Sequence, residues 1–279
     1  MIIALLTDFG TQDSYVGVMK GVIAGIAPEA QVIDLTHEIR PQDVAHGAYT
    51  LMIAVPYFPA GTIFCAVVDP GVGSARRAVA VKAGEWIFVL PDNGMLTHIL
   101  DRWPVHGAAT LANPRYQLPH PSATFHGRDI FAPAAAYLAA GVPLASLGEP
   151  LPSEALRRLD LPTARRMGDH VIGTVMHIDR FGNLVTNISR QHLAEIAVDD
   201  PDSCKGDGRV WQVELEGTEI VLSPIASTFS DVPPGAPVAY IGSDGFLELA
   251  VRNGNAADRW NVGLGIEVRA TQLEKQNKD

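Results

Sequence analysis

The run from Thr62 to Val68 is apolar at almost every position, ends on Asp69 and turns through Gly71 and Gly73 into Arg76 and Arg77. Apolar character without the alternation of a half-exposed strand marks a strand buried on both faces. Such a strand requires layers of structure above and below it. In open α/β sheets the ligand crevice lies beyond the carboxyl ends of the strands, so Asp69 is expected to face a pocket. The same signature closes the stretches Ile2 to Asp8, Val32 to Asp34 and Trp86 to Asp92, which suggests several carboxylates sharing one site.

Between these runs the spacing is helical. Tyr15 to Ala27 reads as a helix with Asp13 or Ser14 as its cap and Pro28 beyond its end, and a second helix is expected between Pro41 and Pro56. Ala78 to Lys82 and Glu85 to Leu90 read as a hairpin or adjacent strand pair, followed by a short helix from Met95 to Leu100. A loop from Asn113 leads to an Ala-rich helix running to Gly141, with His126 at its entrance. Alternating strands and helices predict an α/β N-terminal domain with a layered, mostly parallel sheet.

From Gly148 to Gly168 the chain is rich in Pro, Leu and Arg without periodicity and reads as a linker. Short apolar runs separated by turn residues then follow: 171–179, 184–188, 210–215, 219–222, 237–241 and 246–251. These predict a smaller all-β C-terminal domain, a barrel or sandwich. The expected domains are residues 1–165 and 170–272, with a polar tail from Leu273 to Asp279.

A net charge of −10 argues against nucleic-acid or anionic-membrane partners, which need clustered Lys and Arg, and leaves a small molecule as the expected ligand. The opening Met1 to Leu6 is too short for a signal peptide and lacks its basic flank, and no run reaches the length of a membrane span, so a cytoplasmic location is expected. Cys65 sits within the apolar run and Cys204 in a polar loop, contexts that do not suggest a disulfide framework. Cys65 is expected to be a small buried hydrophobe.

Asp8, Asp34, His37, His46, Asp69, Asp92, His98, His126 and Asp129 suggest a metal hydrolase by residue type alone. Their spacing matches no metal motif, so no metal is expected. The glycines after Asp69 lack the full phosphate-cradle pattern and read as a tight turn. Asp69, Arg76 and His126 form a different combination. A carboxylate accepts, a guanidinium only donates and a neutral imidazole does either, so the three together suit holding a water without metal. An Asp–Arg ion pair framing a loop is the structural alternative.

Thr7 to Gly10 with Tyr15 to Gly21, Val68 to Gly73 with Arg76 and Arg77, Pro91 to Gly94, Thr124 to Pro133, Ile178 to Asn183 with Thr186 and Asn187, and Tyr240 to Ser243 with Gly254 to Ala257 occur in that order along the chain. Together they resemble the S-adenosyl-L-methionine hydroxide adenosyltransferases, relatives of the bacterial fluorinase and chlorinase. The resemblance covers nearly the whole chain. It implies cofactor-independent hydrolysis of S-adenosyl-L-methionine to adenosine and L-methionine by water or hydroxide attack at the ribose C5′.

The family pattern maps its catalytic Asp, Arg and His onto Asp69, Arg76 and His126, with Arg77 as the alternative arginine. Halogenating relatives lack this trio, which argues against a halide nucleophile here. The resemblance also assigns Asp8 to the ribose hydroxyls, a turn or helix cap being its structural alternative. Asp179, Phe181 and Asn183 are assigned to the methionine end, Phe181 having turn packing as its alternative; Ser243 is assigned to the substrate carboxylate and Asn255 to the adenine pocket. Gln42 and Val185 stand where relatives carry aromatics. A homotrimer with sites at subunit interfaces is implied. The rival expectations are a halide-dependent adenosyltransferase and a non-catalytic nucleoside-binding module.

Overall fold

The computed structural model describes residues 1–194 and 210–273 and divides into two compact units, Met1–Asp160 and a second beginning at Leu161. Cys204 and the tail beyond Leu273 lie outside the described residues. No helix among the described residues is long and apolar enough to cross a membrane.

The first unit contains β1 (Ile2–Thr7), α1 (Tyr15–Ile26), β2 (Gln31–Thr36), α2 (Val44–Ala54), β3 (Ile63–Val67), β4 (Ala78–Ala83), β5 (Trp86–Pro91), α3 (Thr97–Arg102), β6 (Val105–Thr110), a π-helical turn (Gly127–Phe131) and α4 (Ala132–Ala139). Its six-stranded sheet has the order β2-β1-β3-β5-β4-β6. The pairs β1–β2, β1–β3 and β3–β5 are parallel, whereas β4 runs antiparallel to both β5 and β6. The sheet is therefore mixed, with β4 the one reversed strand.

Successive side chains of a strand leave opposite faces of the sheet. Ala4, Leu6, Phe64, Ala66 and Phe88 pack on one side with Leu51 of α2 and Ile99 of α3. Ile3, Leu5, Ile63, Cys65 and Val89 pack on the other with Met19 of α1 and Ala135 of α4. Two cores, one on each face, explain why the strands show no alternation in sequence. Burial raises the Cys65 thiol to about 12, leaving it without thiolate chemistry at neutral pH.

Three local expectations change. The second helix starts at Val44 rather than Pro41, because the Asp43 side chain accepts from His46 N at 2.8 Å as an N-cap while Gln42 has the left-handed φ of +66°. The helix after His126 opens with a π turn, the Ala132 N–H reaching back to the Gly127 carbonyl. Pro133 has no N–H for the Asp129 carbonyl four residues earlier, and Leu118 N donates to it instead at 2.9 Å. Finally, the segment read as a linker belongs to the first unit as far as Asp160: Leu151 N bonds Ala108 O, Arg157 N bonds Asp92 Oδ1 and Leu159 N bonds Thr97 Oγ1, each at 2.8 Å.

The second unit contains β7 (Arg165–Met167), β8 (His170–Ile178), β9 (Leu184–Ser189), α5 (Arg190–Ala194), β10 (Val210–Leu215), β11 (Val221–Leu222), β12 (Pro237–Ile241), β13 (Phe246–Val251), α6 (Ala256–Trp260) and β14 (Glu267–Leu273). Its antiparallel strands follow the order β11-β10-β14-β8-β9-β13-β12, with β7 also on β8. A bridge from Ala226 to Tyr240 joins the chain after β11 to β12 at the other end of that order, so the sheet curls into an incompletely closed barrel. Val171, Leu184, Val213, Leu249 and Val268 fill its core.

Candidate active site

Asp69 emerges just beyond the buried end of β3, where the chain turns back on itself. Val72 N bonds the Asp69 carbonyl at 3.2 Å, and Ser74 Oγ both donates to Gly71 O at 2.7 Å and accepts from Arg76 N at 3.2 Å. Gly73 has φ of +76°, and a Cβ there would lie 2.6 Å from the Ala123 carbonyl oxygen. The glycine thus permits both the left-handed turn and the close approach of the loop that carries His126.

This fold lays Arg76 across Asp69. Arg76 Nε donates to Asp69 Oδ1 at 2.9 Å and Oδ2 at 3.0 Å, and Nη2 donates to Oδ2 as well. The two side chains are only 7% and 5% exposed, so the pair is shielded from solvent screening. The guanidinium lies 5.2 Å from the ring centroid of Phe131, a residue of the π turn. Arg76 Nη2 also lies 2.7 Å from His126 Nδ1.

That last contact sets the state of the histidine. A guanidinium can only donate, so Nδ1 must accept, the ring is neutral and its remaining proton is on Nε2. The electrostatics agree in direction: burial pushes the His126 pKa below the usual histidine range, and the Arg76 charge pushes it further, while Asp69 and Asp129 act in opposition.

Asp69 and His126 line a cleft of about 280 Å³ in the first unit; Asp8 and Gln42 lie on the same wall lining. Asp8 Oδ2 accepts from Gln42 N at 2.8 Å. Phe9, Tyr15 and Phe125 supply an aromatic part of the lining, with Tyr15 and Phe125 in edge contact at 5.1 Å and 85°. Arg76 is not among the lining residues and stands behind the carboxylate and imidazole it holds.

Arg77 turns elsewhere. Its Nε and Nη2 donate to Asp92 Oδ2 at 2.8 and 2.6 Å, and Nη2 also bonds the Ala155 carbonyl. Of the other acids and histidines considered for a metal, Asp34 engages Lys20 and His37, Asp129 engages Arg128, and His46 Nδ1 accepts from Arg40 N. Among the described residues no three His, Cys, Asp or Glu side chains gather in a metal-binding arrangement.

In the second unit the turn after β8 collects four of the remaining candidates. Asp179 Oδ1 accepts from Phe181 N at 2.8 Å and Asn183 N at 2.9 Å, and its Oδ2 accepts from Asn183 Nδ2 at 2.8 Å. Asn183 is buried, while Phe181 is 73% exposed and therefore does not pack into the turn. Gly182, at φ +83°, lies against Asn255, whose side chain caps α6 through Asp258 N at 2.9 Å. Ser243 is exposed on the turn between β12 and β13.

Glu248 of β13 went unread in the sequence. Tyr240 Oη donates to it, and its carboxylate lies against Gly242, the neighbour of Ser243. Burial raises its pKa, Tyr240 opposes that shift, and Asp179 and Asp244 add to it. The apolar run of β13, buried at every position but this one, concealed it, since a single Glu within an apolar strand carries no sequence signal of its own. Tyr15 and Phe125 were likewise read for helix and motif rather than as cleft walls.

Residues 3–148 match the SAM hydroxide adenosyltransferase N-terminal domain and residues 173–269 the corresponding C-terminal domain. The chain is 44% identical over 276 residues to an (R)-S-adenosyl-L-methionine hydrolase of Thermus thermophilus, covering 95% of this chain and 97% of the relative. It is 40% identical over 272 residues to an (R)-S-adenosyl-L-methionine hydrolase of Salinispora arenicola, covering 96% and 97%. A fluorinase of Nocardia brasiliensis is 31% identical over 294 residues, covering 96% of each chain. The crystal structure of a conserved protein from Thermotoga maritima superposes with a TM-score of 0.87 at 38% identity, covering 97% of this chain and all of that one.

Proposed function

This chain belongs to the SAM hydroxide adenosyltransferase family, and we propose that Asp69, Arg76 and His126 carry out its hydrolysis of S-adenosyl-L-methionine to adenosine and L-methionine. The observation that carries this reading is the Arg76 bridge, which holds Asp69 and His126 together at the wall of a cleft. Hydrolase relatives at 34–44% identity, against 31% for the fluorinases, support hydroxide rather than halide as the nucleophile.

The leaving group needs little help, because a sulfonium departs as a neutral thioether. Catalysis therefore rests on the nucleophile. The His126 Nε2–H donates to the oxygen of a water in the cleft, fixing one of its lone pairs and directing another toward the ribose C5′. As the C5′–O bond forms and the C5′–S bond breaks, the electron pair of the latter goes to sulfur and the water must lose a proton. Nδ1 of His126 is occupied by Arg76 and Nε2 already carries its hydrogen, so within the trio Asp69 is the group with lone pairs to receive that proton. Exclusion of water from the sulfonium on binding would favour loss of its charge in the transition state.

For binding, Asp8 accepts the ribose hydroxyls, Asp179 pairs with the α-ammonium, Phe181 and Asn183 complete the methionine end, Ser243 meets the carboxylate and Asn255 serves the adenine. The exposure of Phe181 supports a role beyond turn packing. The proposal includes a homotrimer with substrate held at subunit interfaces, a cytoplasmic location and no cofactor; the trimer and the absence of a cofactor rest on the family.

The test separates products by chromatography after incubating the purified, chelator-treated protein with S-adenosyl-L-methionine, with and without chloride. Adenosine and methionine in equal amounts, independent of halide, are expected; 5′-chloro-5′-deoxyadenosine or unchanged substrate would refute the reading. Sedimentation of the same sample tests the trimer.

A pH profile tests the tautomer. Because the His126 pKa is depressed, its neutral form should persist to lower pH than that of an ordinary histidine, and kcat should fall only below that ordinary range, when a protonated Nδ1 can no longer accept from Arg76. His126→Gln keeps a donor near the Nε2 position and should retain roughly a tenth of the activity, whereas His126→Ala should lose about 100-fold or more. A fall in kcat with a midpoint at or above that of an ordinary histidine would contradict this assignment.

A further inference from the structure

We propose that Gln42 is a specificity-determining residue that reads the ribose hydroxyls of the substrate through its side-chain amide, beside Asp8. The inference rests on the reading of this cleft as the nucleoside pocket. It starts from a backbone that is wrong for its residue. Arg40, Pro41, Gln42 and Asp43 form a turn closed by Asp43 N donating to Arg40 O at 3.0 Å. Proline at the second position and a positive φ, here +66°, at the third are the features of a type II turn, whose third position is normally glycine or asparagine. A glutamine there strains the chain, since its Cβ crowds the neighbouring carbonyl.

Two facts indicate what the strained residue is for. Its backbone N–H is held by Asp8 Oδ2 at 2.8 Å, so the conformation is imposed by a residue of the same cleft. The residue lines that cleft together with Asp69 and His126, and among the described residues its amide makes no hydrogen bond. Exposed at the cleft, that amide is available to a ligand. Non-glycine residues held in the left-handed region cluster at ligand sites.

The chemistry of the neighbouring groups names the ligand feature. Asp8 is an acceptor whose Oδ2 already serves the Gln42 backbone, leaving Oδ1 without a partner among the described residues. A primary amide beside it both donates and accepts. A vicinal diol presents two hydroxyls that must each give and receive a hydrogen bond, so Asp8 and Gln42 together satisfy a diol where Asp8 alone would leave oxygen lone pairs unbonded. Loss of one hydroxyl from the ligand then strands a polar group in the cleft, which is how such sites discriminate.

The experiment compares kcat/KM for S-adenosyl-L-methionine and its 2′-deoxyadenosyl analogue in the wild type, Gln42→Ala, Gln42→Gly and Asp8→Asn, with thermal unfolding of each. The wild type should prefer the ribose substrate, and both Gln42 variants should lose about tenfold of that preference. Gln42→Gly should do so with a Tm equal to or above that of the wild type, because glycine relieves the strained turn. Unaltered preference in both Gln42 variants, or a Tm lowered by Gln42→Gly, would overturn the inference. Asp8→Asn separates the two levels: if it loses the preference while the Gln42 variants keep it, only the role of Gln42 falls. If the wild type itself shows no preference, the nucleoside reading of the cleft falls with it.

Discussion

Arg76→Ala is expected to lower kcat by about 1,000-fold while leaving the affinity for S-adenosyl-L-methionine within a few-fold of the wild type. Arg76 makes three hydrogen bonds to Asp69 and one to His126 from a nearly solvent-free position. Its removal leaves a buried carboxylate without its counter-charge and frees His126 Nδ1, so both the proton acceptor and the water-orienting donor lose their geometry. Arg76 is absent from the cleft lining, which is why binding should be spared. Arg76→Lys should recover little, because a single ammonium cannot reproduce a fork that serves two carboxylate oxygens and an imidazole at once. Single-turnover rates alongside equilibrium binding of the intact substrate make the measurement; parallel losses of binding and rate would mean that Arg76 only supports the fold of the loop.

Arg77→Ala, one residue along, should do the reverse. Asp92 is buried and accepts from the Arg77 side chain and from Arg157 N, and Arg77 also holds the Ala155 carbonyl. Losing Arg77 strands that carboxylate and loosens the segment running to Asp160 from the ends of β4 and β5. A loss of roughly 2–4 kcal/mol in unfolding free energy is expected, below the range for a fully buried pair because the Arg77 side chain is 37% exposed. The kcat of the protein that remains folded should stay within a few-fold of the wild type. Urea unfolding with parallel assays below the transition checks this, and a thousand-fold loss of kcat at full stability would reassign the catalytic arginine.

Much of the architecture was legible because it follows from burial. The runs ending at Asp8, Asp69 and Asp92 read as strands buried on both faces since their alternate residues enter two different cores. The short runs after His170 read as β structure for the complementary reason, with alternate residues such as Val171, Val175 and Val213 reaching a single core. The strands β6 and β14 were not among those runs. β6 is built from Val-His-Gly-Ala-Ala-Thr, too weakly apolar to stand out, and is held by its pairing with β4. The segment to Asp160 has no periodicity because it is tied down by hydrogen bonds to Asp92 and Thr97 rather than by an apolar face. The π turn depended on a missing N–H at Pro133, visible in sequence only once the partner of the Asp129 carbonyl is known.

The candidate residues divide along the same line. Sequence alone determined the residue types, the carboxylates at strand ends, the glycine-rich turn after Asp69 and the histidine before a helix, because each is a local requirement of chain geometry or motif. It named Arg76 with the adjacent Arg77 as the alternative, without showing what either one holds. Only the tertiary structure separated them, because neighbouring side chains leave an extended chain on opposite sides and their partners come from far along it: His126, 50 residues beyond Arg76, and Asp92, 15 beyond Arg77. The proton on Nε2 of His126 and the strained backbone of Gln42 were decided there too. A tautomer and a left-handed φ belong to no residue by itself; each is imposed by a donor or acceptor that folding brings within 3 Å.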